Sequence, residues 1–358
     1  MKVGNAMPMT RREQFHSMLE GNTNVPAFLV SAWQHFIGHE YGAVEFAQAT
    51  IDFVNKWDWD WIKINSRAVY YAEAWGSIYD HDDYPEIPEP RPLQQVVKSW
   101  TDLDGITVLD PTRVTAFSDH LESARLIRQA FPDRAVVQTV FSPLSVLMQM
   151  SLVPLYPGAH STGAQPTVTR DELVLDHPEN TLRAVDHIAR TLSAYAAALV
   201  APIEQGGSGL DGIFLASTGM ASDNYFDKEE YARFAAPFDA AIISAVHAAN
   251  PEAKIIFHTC RQDAHPEWFT RIGAQALQWD QFLQGNPGLE APFDIVPVGG
   301  ASFTEFAPDG DMHRVAGELQ ESVALRRGKP FLLAPSCTIP TPASDQALQI
   351  LSAMRADL

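Results

Sequence analysis

Residues 255–260 (IIFHTC) form a short apolar run that ends in a histidine and a cysteine two positions apart. The run has the length and the apolar, β-branched composition of a buried strand. Side chains at positions i and i+2 of a strand point to the same face. His258 and Cys260 are therefore predicted to project together from the C-terminal end of this strand, as one half of a metal site.

Seven further runs along the chain have the same strand-like character and alternate with helical segments. They are residues 25–33, 59–65, 135–141, 212–216, 276–280, 294–300 and 331–337. Strands that alternate with helices predict a parallel sheet, and eight such units close a (β/α)₈ barrel. A doubly wound open sheet is the alternative, but the chain has no glycine-rich dinucleotide-binding fingerprint. We therefore predict one α/β domain over residues 1–358, a (β/α)₈ TIM barrel with its active site at the C-terminal ends of the strands.

Three segments lie outside the regular alternation of strands and helices. Residues 1–24 contain a predicted lead-in helix, because Thr10 and Glu13 have the spacing of a capping box. Residues 69–111 and 152–170 show no clean period, and we predict that they are long loops on the active-site side of the barrel.

Cys337 is the only other cysteine of the chain, and it ends the last predicted strand. The C-terminal ends of all strands of a barrel meet at one mouth, so Cys337 can join His258 and Cys260 there. Three such ligands with an open fourth position are typical of catalytic zinc. Simpler interpretations remain, since a free cysteine is often a small buried apolar residue and a single histidine often only hydrogen-bonds. A disulfide is disfavoured in a reducing cytosol.

The composition disfavours several classes of partner. The formal net charge is −19 over 358 residues, whereas nucleic acids and anionic membranes are bound mainly through Lys and Arg. No apolar stretch reaches the roughly 18 residues of a membrane-spanning helix, and residues 1–12 lack the apolar segment of a signal peptide. We expect a cytoplasmic protein without a nucleic-acid or membrane partner, and either a monomer or a homodimer.

Further side chains are candidates for the active site because of their position near strand ends. Asp280 ends the sixth predicted strand and is a candidate catalytic residue, as a fourth zinc ligand or as a hydrogen-bond partner of His258. An acid that merely faces solvent or caps a helix is an equally good interpretation of Asp280. Predicted substrate-binding residues share a place just beyond a strand or in the first long loop, with simple packing as the alternative for each. They are Trp33, Asn65, Arg67, Tyr70, Phe141, Ser217 and Asn224.

From about Thr10 to its C-terminus the chain resembles the uroporphyrinogen decarboxylase superfamily. The likeness is carried by the His-x-Cys of residues 258–260 and by the segments FSPLSVLMQM (141–150), FDKEEYARFAAPFDAAII (226–243) and APSCTIPTP (334–342). The branch it resembles most is that of the zinc-dependent methylcobamide:coenzyme M methyltransferases, in which a His-x-Cys pair and a distant cysteine bind zinc. His258, Cys260 and Cys337 occupy those places. Uroporphyrinogen decarboxylases themselves carry an arginine-bearing motif after the first strand, whereas residues 31–42 (SAWQHFIGHEYG) contain no arginine.

The resemblance implies a zinc-dependent methyl or alkyl transferase. Zn²⁺ would bind a small-molecule thiol and lower its pKa, and the thiolate would accept a methyl group from a methylcobamide or another donor. A corrinoid protein is then the expected partner. Two alternatives stay open: a metal-free decarboxylase of a carboxylated, tetrapyrrole-like substrate that Arg67 would hold, and a non-catalytic corrinoid or small-molecule binding protein.

Overall fold

Eight parallel strands form the central sheet of the protein in a computed structural model that describes residues 9–85, 88–156, 165–223 and 225–357. The strands are β1 (Phe28–Val30), β2 (Trp61–Ile64), β3 (Ala135–Phe141), β4 (Gly212–Ala216), β5 (Lys254–His258), β6 (Ala276–Gln278), β7 (Val296–Ala301) and β8 (Phe331–Pro335). Their order in the sheet is β1-β8-β7-β6-β5-β4-β3-β2, and every neighbouring pair is parallel. All eight predicted strands are present.

The two edge strands, β1 and β2, face each other and nearly close the sheet. The Asp60 amide donates to the Val30 carbonyl over 2.9 Å, and the Asp60 carboxylate accepts from the Val30 amide over 2.8 Å. The Ser31 hydroxyl donates to the Trp61 carbonyl over 2.7 Å. These bonds replace a regular ladder between the two strands, and the prediction of a (β/α)₈ TIM barrel is confirmed.

Between β5 and β6 there is only a 3₁₀ turn, Pro266–Phe269, and the described residues between β6 and β7 form no helix. The other connections of the barrel carry α-helices. The α-helices are α1 (Arg11–Leu19), α2 (Ala43–Trp57), α3 (Tyr70–Ala74), α4 (Thr115–Ala130), α5 (Pro143–Met150), α6 (Pro178–Val200), α7 (Lys228–Phe234), α8 (Ala236–Ala249), α9 (Met312–Leu325) and α10 (Asp345–Ala353). The segment between β4 and β5 is divided into α7 and α8 because Pro237 has no amide hydrogen for the preceding turn. In the described part of the chain, none of the helices is both long and apolar enough to cross a lipid bilayer.

Helix α1 covers the N-terminal end of the barrel. Its capping box is formed by Thr10 and Glu13, as predicted. Phe15 packs against Trp61 in the barrel interior with ring centroids 5.8 Å apart. The buried carboxylate of Asp211 accepts from Arg12 over 2.6 Å and thereby ties the helix to the start of β4. With this end filled by side chains, the opposite end of the barrel is the one available for a ligand.

The segment predicted as a first long loop, residues 69–111, has more structure than its sequence pattern indicates. It contains α3, a hairpin of strands Ile78–Asp80 and Arg91–Gln94, and a 3₁₀ turn, Trp100–Gly105. The hairpin strands are only three and four residues long and shift register between Ile78 and Tyr79, so no alternation is visible in the sequence. Of the second predicted loop, residues 157–164 lie outside the described residues.

Candidate metal centre and cavity

A cavity of about 730 Å³ opens at the C-terminal ends of the strands. Residues at or just beyond the ends of all eight strands line it, and the hairpin adds Tyr79 and Pro92 to its wall. Among the residues from the strand ends are Trp33, Asn65, Phe141, Ala216, His258, Asp280 and Cys337. The cavity therefore occupies the place where TIM barrels bind and transform their substrates.

His258 is the last residue of β5, and Cys260 follows in a turn held from both sides. The Cys260 amide donates to the Thr218 carbonyl over 3.0 Å, and the Thr259 amide donates to the Gln278 carbonyl over 3.2 Å. The Thr259 hydroxyl points away and donates to the Ala264 carbonyl over 2.7 Å. Both potential metal ligands are therefore directed into the cavity, as the spacing predicts.

Cys337 reaches the same point from β8. The Ser336 amide donates to the Ala301 carbonyl over 2.8 Å, and the buried Gln278 amide donates to the Ser336 carbonyl, also over 2.8 Å. Because Gln278 belongs to β6, it fixes the backbone just before Cys337 relative to the centre of the sheet.

The donor atoms of His258, Cys260 and Cys337 all lie within 4.8 Å of one another. The two sulfur atoms are 4.0 Å apart, and two thiolates on one tetrahedral zinc at about 2.3 Å would be roughly 3.8 Å apart. The Nδ1 atom of His258 is buried and has no hydrogen-bond partner among the described residues. One nitrogen and two sulfur donors at this spacing fit zinc in both chemistry and size.

The two cysteines have different surroundings. A hydrogen bond from Cys260, together with the nearby His258, lowers the pKa of Cys337 well below its usual value. The same hydrogen bond and burial hold the pKa of Cys260 well above its usual value. Cys337 therefore loses its proton more readily than Cys260, and a cation at this point would draw off both protons.

Asp280 lies in the cavity wall but outside the compact group of three donors. Its carboxylate accepts from the Phe282 amide over 3.0 Å, and burial raises its pKa. Among the described residues, no hydrogen bond joins Asp280 to His258. The expectation of a direct partnership between these two residues therefore has no support in this geometry.

The predicted substrate-binding residues divide between the cavity and the outer layer. Trp33, Asn65, Arg67 and Phe141 line the cavity, but the guanidinium of Arg67 is engaged by the Glu73 carboxylate and the Glu40 carbonyl. Arg67 is therefore a wall residue whose charge is already matched.

Tyr70 and Ser217 do not line the cavity. Tyr70 belongs to α3, which turns its ring outward against His120, 4.1 Å away, and its hydroxyl lies 3.3 Å from that of Tyr195. Ser217 is buried behind the metal-ligand candidates, and its amide donates to the His258 carbonyl over 2.9 Å. Asn224 lies outside the described residues.

Several polar groups in the cavity wall were not among the sequence candidates, and Lys63 and His35 are two of them. Lys63 is buried in the barrel, and this burial lowers its pKa to about 7. His35 faces the cavity, with Nδ1 lying 3.0 Å from the carboxylate of the buried Glu40. The signal for Lys63 was its alternation with Trp61 and Asn65, which places all three on one face of β2.

Comparison with known proteins identifies the family. The family model described as uroporphyrinogen decarboxylase (URO-D) matches residues 35–356. A comparison with curated proteins gives no match.

Solved structures include distant likenesses of the fold. A β-mannanase from the blue mussel Mytilus edulis is 12% identical, with 91% of each chain covered and a TM-score of 0.45. The old yellow enzyme from Trypanosoma cruzi is 10% identical, with 86% of this chain and 83% of that chain covered and a TM-score of 0.41. Likeness at this level concerns fold and carries no inference about activity.

Proposed function

The chain belongs to the uroporphyrinogen decarboxylase (URO-D) family, and we propose that it is a zinc-dependent enzyme of that family which transfers a methyl or other alkyl group to the sulfur of a small thiol. The observation that carries the proposal is the convergence of His258, Cys260 and Cys337 on one point of the cavity wall. Three protein ligands leave the fourth position of a tetrahedral ion for a substrate.

The chain's own residues would hold the ion and shape the space around the thiol. His258, Cys260 and Cys337 would bind the zinc, which supplies a Lewis-acid centre that lowers the pKa of a thiol. Two thiolate ligands cancel the charge of the ion, so a bound substrate thiolate remains electron-rich. The rings of Trp33 and Phe214 border the cavity and would limit the access of water to that sulfur.

The group donor is a methylcobamide, which a separate corrinoid protein would present at the mouth of the barrel. A lone pair of the thiol sulfur forms the new bond to the methyl carbon, and the carbon–cobalt bond breaks. The electron pair of that bond would remain with the donor, which would leave as the Co(I) corrinoid, and the thiol proton would go to solvent.

Decarboxylation of a polycarboxylate is less well supported by the cavity. Such a substrate needs several free cations to hold its carboxylates, and Arg67, the residue assigned that role from the sequence, is already paired with Glu73. Among the described residues, Lys63 and Arg261 are the other Lys or Arg side chains in the cavity wall. The formal net charge of −19 also disfavours a strongly anionic substrate.

Metal content and thiol alkylation test the proposal together. Wild-type protein purified without chelator is analysed for zinc by mass spectrometry, in parallel with Cys337→Ser and His258→Gln. His313→Gln is the matched control, since His313 is exposed on α9. We expect about one zinc per chain in the wild type and the control, and a large loss in both site variants.

Turnover is measured with free methylcobalamin and a panel of small thiols, following formation of cob(I)alamin and the thioether without oxygen. Activity should depend on zinc and disappear in Cys337→Ser. Wild-type protein that binds no zinc after reconstitution would refute the proposal. Zinc binding without turnover on any thiol, combined with tight corrinoid binding, would instead support a non-catalytic binding protein.

A further inference from the structure

Lys63 places an ammonium group inside the barrel. On β2, Ile62 and Ile64 face the surrounding helices, whereas Trp61 and Lys63 face the barrel interior. Only 5% of Lys63 is exposed, and its Nζ atom lies 4.9 Å from the ring centroid of Trp33 and 4.5 Å from that of Phe214. Lys63 therefore forms part of the cavity floor, with aromatic faces as its neighbours.

This ammonium lacks a carboxylate partner among the described residues. Its hydrogen bond is to the Asn65 side-chain oxygen, over 2.6 Å, and the nearby sulfur atoms of Cys260 and Cys337 favour its charged form. A buried ammonium without an ion-pair partner is costly to the fold. A charged side chain that destabilises the fold but lines a cavity is a candidate for ligand binding.

Asn65 beside it has unused donors. Because the ammonium of Lys63 can only donate, the side-chain oxygen of Asn65 must face it, and this fixes the orientation of the amide. The Nδ2 atom is then left buried and without a partner among the described residues, although only 6% of Asn65 is exposed. Both residues line the cavity, so two sets of free N–H donors are available to the same ligand.

We propose that Lys63 and Asn65 form a carboxylate-binding subsite in the cavity floor, and that the substrate is a short mercapto acid. The carboxylate would accept one bond from the Lys63 ammonium and one from Asn65 Nδ2. The thiol half of this assignment rests on the proposed function, whereas the subsite itself does not.

The surroundings favour a carboxylate over other oxyanions. Two donor groups, Lys63 Nζ and Asn65 Nδ2, match the two oxygens of a planar carboxylate, whereas the aromatic faces of Trp33 and Phe214 beside the ammonium leave less room for the third oxygen of a sulfonate or phosphonate. The Asn65 side chain also lies 3.4 Å from the hydroxyl of Thr338, the residue after Cys337. The carboxylate and the sulfur would thus be held close together, which calls for a linker of few carbon atoms.

Equilibrium binding of a matched set of probes tests the subsite. Calorimetry compares 3-mercaptopropionate with its neutral amide and with 2-mercaptoethanesulfonate, and cobalt(II)-loaded protein reports the sulfur end through its charge-transfer absorption. In the wild type we expect the carboxylate to bind at least about tenfold more tightly than the amide and the sulfonate, because hydrogen bonds to charged groups are strong.

Three variants and one control assign the effect to this pair of residues. Lys63→Met should abolish the preference for the carboxylate probe. Asn65→Asp should abolish it too, because it gives the ammonium an internal carboxylate, and Asn65→Ala should weaken it. Lys254→Met is the control, since Lys254 is similarly buried but pairs with Glu20 outside the cavity. It should keep the full preference.

Propionate, which has no sulfur, separates this proposal from the proposed function. If the protein binds no zinc but still binds propionate, and this binding requires Lys63, the subsite is upheld although the metal function has failed. The opposite result is normal binding of zinc and thiols with no affinity gained from a carboxylate, or with a gain that survives in Lys63→Met. It would overturn the subsite and leave the metal function intact. A normal preference in Lys63→Met with weakened zinc binding would show that Lys63 acts on the two cysteines instead.

Discussion

The sulfur atoms of Cys260 and Cys337 lie 4.0 Å apart, although 77 residues separate them in the chain. Each cysteine follows a strand that is paired to its neighbours along its length, and Gln278 of the intervening β6 holds the carbonyl before Cys337. The pair is therefore positioned by the barrel itself, and its spacing exists before any ligand binds.

This asymmetric pair predicts a difference in thiol reactivity. Cys337 is partly exposed and has a lowered pKa, whereas Cys260 is buried and has a raised pKa. Since the thiolate is the nucleophile, iodoacetamide should modify Cys337 at least about tenfold faster than Cys260 in the presence of a chelator. Peptide mass spectrometry measures both rates. Cys337→Ser and Cys260→Ser each leave one thiol as a control, and faster modification of Cys260 would contradict the assignment.

Asn286 should hold the loop that carries Cys260. Its amide donates to the carbonyls of Arg261 and Asp280 over 2.7 and 2.8 Å and accepts from the Ala264 amide over 2.8 Å. The loop needs such support because Arg261 and two later residues have positive φ angles. Asn286→Ala should therefore weaken zinc binding about 10- to 100-fold.

Competition with a chromophoric chelator measures this loss. Asn250→Ala is the matched control, because Asn250 bonds to Val200 at the opposite end of the barrel. Unchanged zinc affinity in Asn286→Ala would mean that the loop keeps its conformation without this residue.

The strands were predictable from the sequence because both faces of a barrel strand are buried. Runs such as residues 135–141 and 212–216 are apolar almost throughout, and their bounds agree with β3 and β4. The break before Pro178 was predictable too, since the residue before proline resists helical geometry. Convergence of His258, Cys260 and Cys337 followed from the barrel topology alone.

Other features depend on contacts that no local pattern reveals. Tyr70 was predicted to line the pocket, but the short helix α3 turns it outward against His120. Lys63 sits in an alternating run, and the sequence does not say which face of that run is the barrel interior.

Asp239 predicts a pH-dependent loss of stability. It is fully buried, accepts from the Tyr231 hydroxyl over 2.7 Å, and has its pKa raised by burial to about 7. Between its unfolded value of 3.8 and about 7, the folded state binds a proton that the unfolded state has lost, so stability falls as pH rises. Asp239→Asn removes this titration.

Urea denaturation at pH 5 and pH 8 measures the effect. The free energy of unfolding of Asp239→Asn should exceed that of the wild type by about 2 kcal/mol more at pH 8 than at pH 5. Asp186→Asn, at an exposed position of α6, should show no such difference. An equal effect of Asp239→Asn at both pH values would mean that Asp239 is ionised throughout.

Lys63→Met should stabilise the protein, most of all at low pH. Burial lowers the pKa of Lys63 from 10.5 to about 7, so between these values the unfolded state binds more protons and wild-type stability rises with pH. Below pH 7 the buried charge destabilises the folded state fully. In urea denaturation, Lys63→Met should therefore raise the free energy of unfolding by about 2 kcal/mol more at pH 6.5 than at pH 9.5. Lys254→Met breaks an ion pair with Glu20 and should lose stability at both values. A gain independent of pH would mean that Lys63 keeps an ordinary pKa, and an ammonium so well solvated would need no carboxylate ligand.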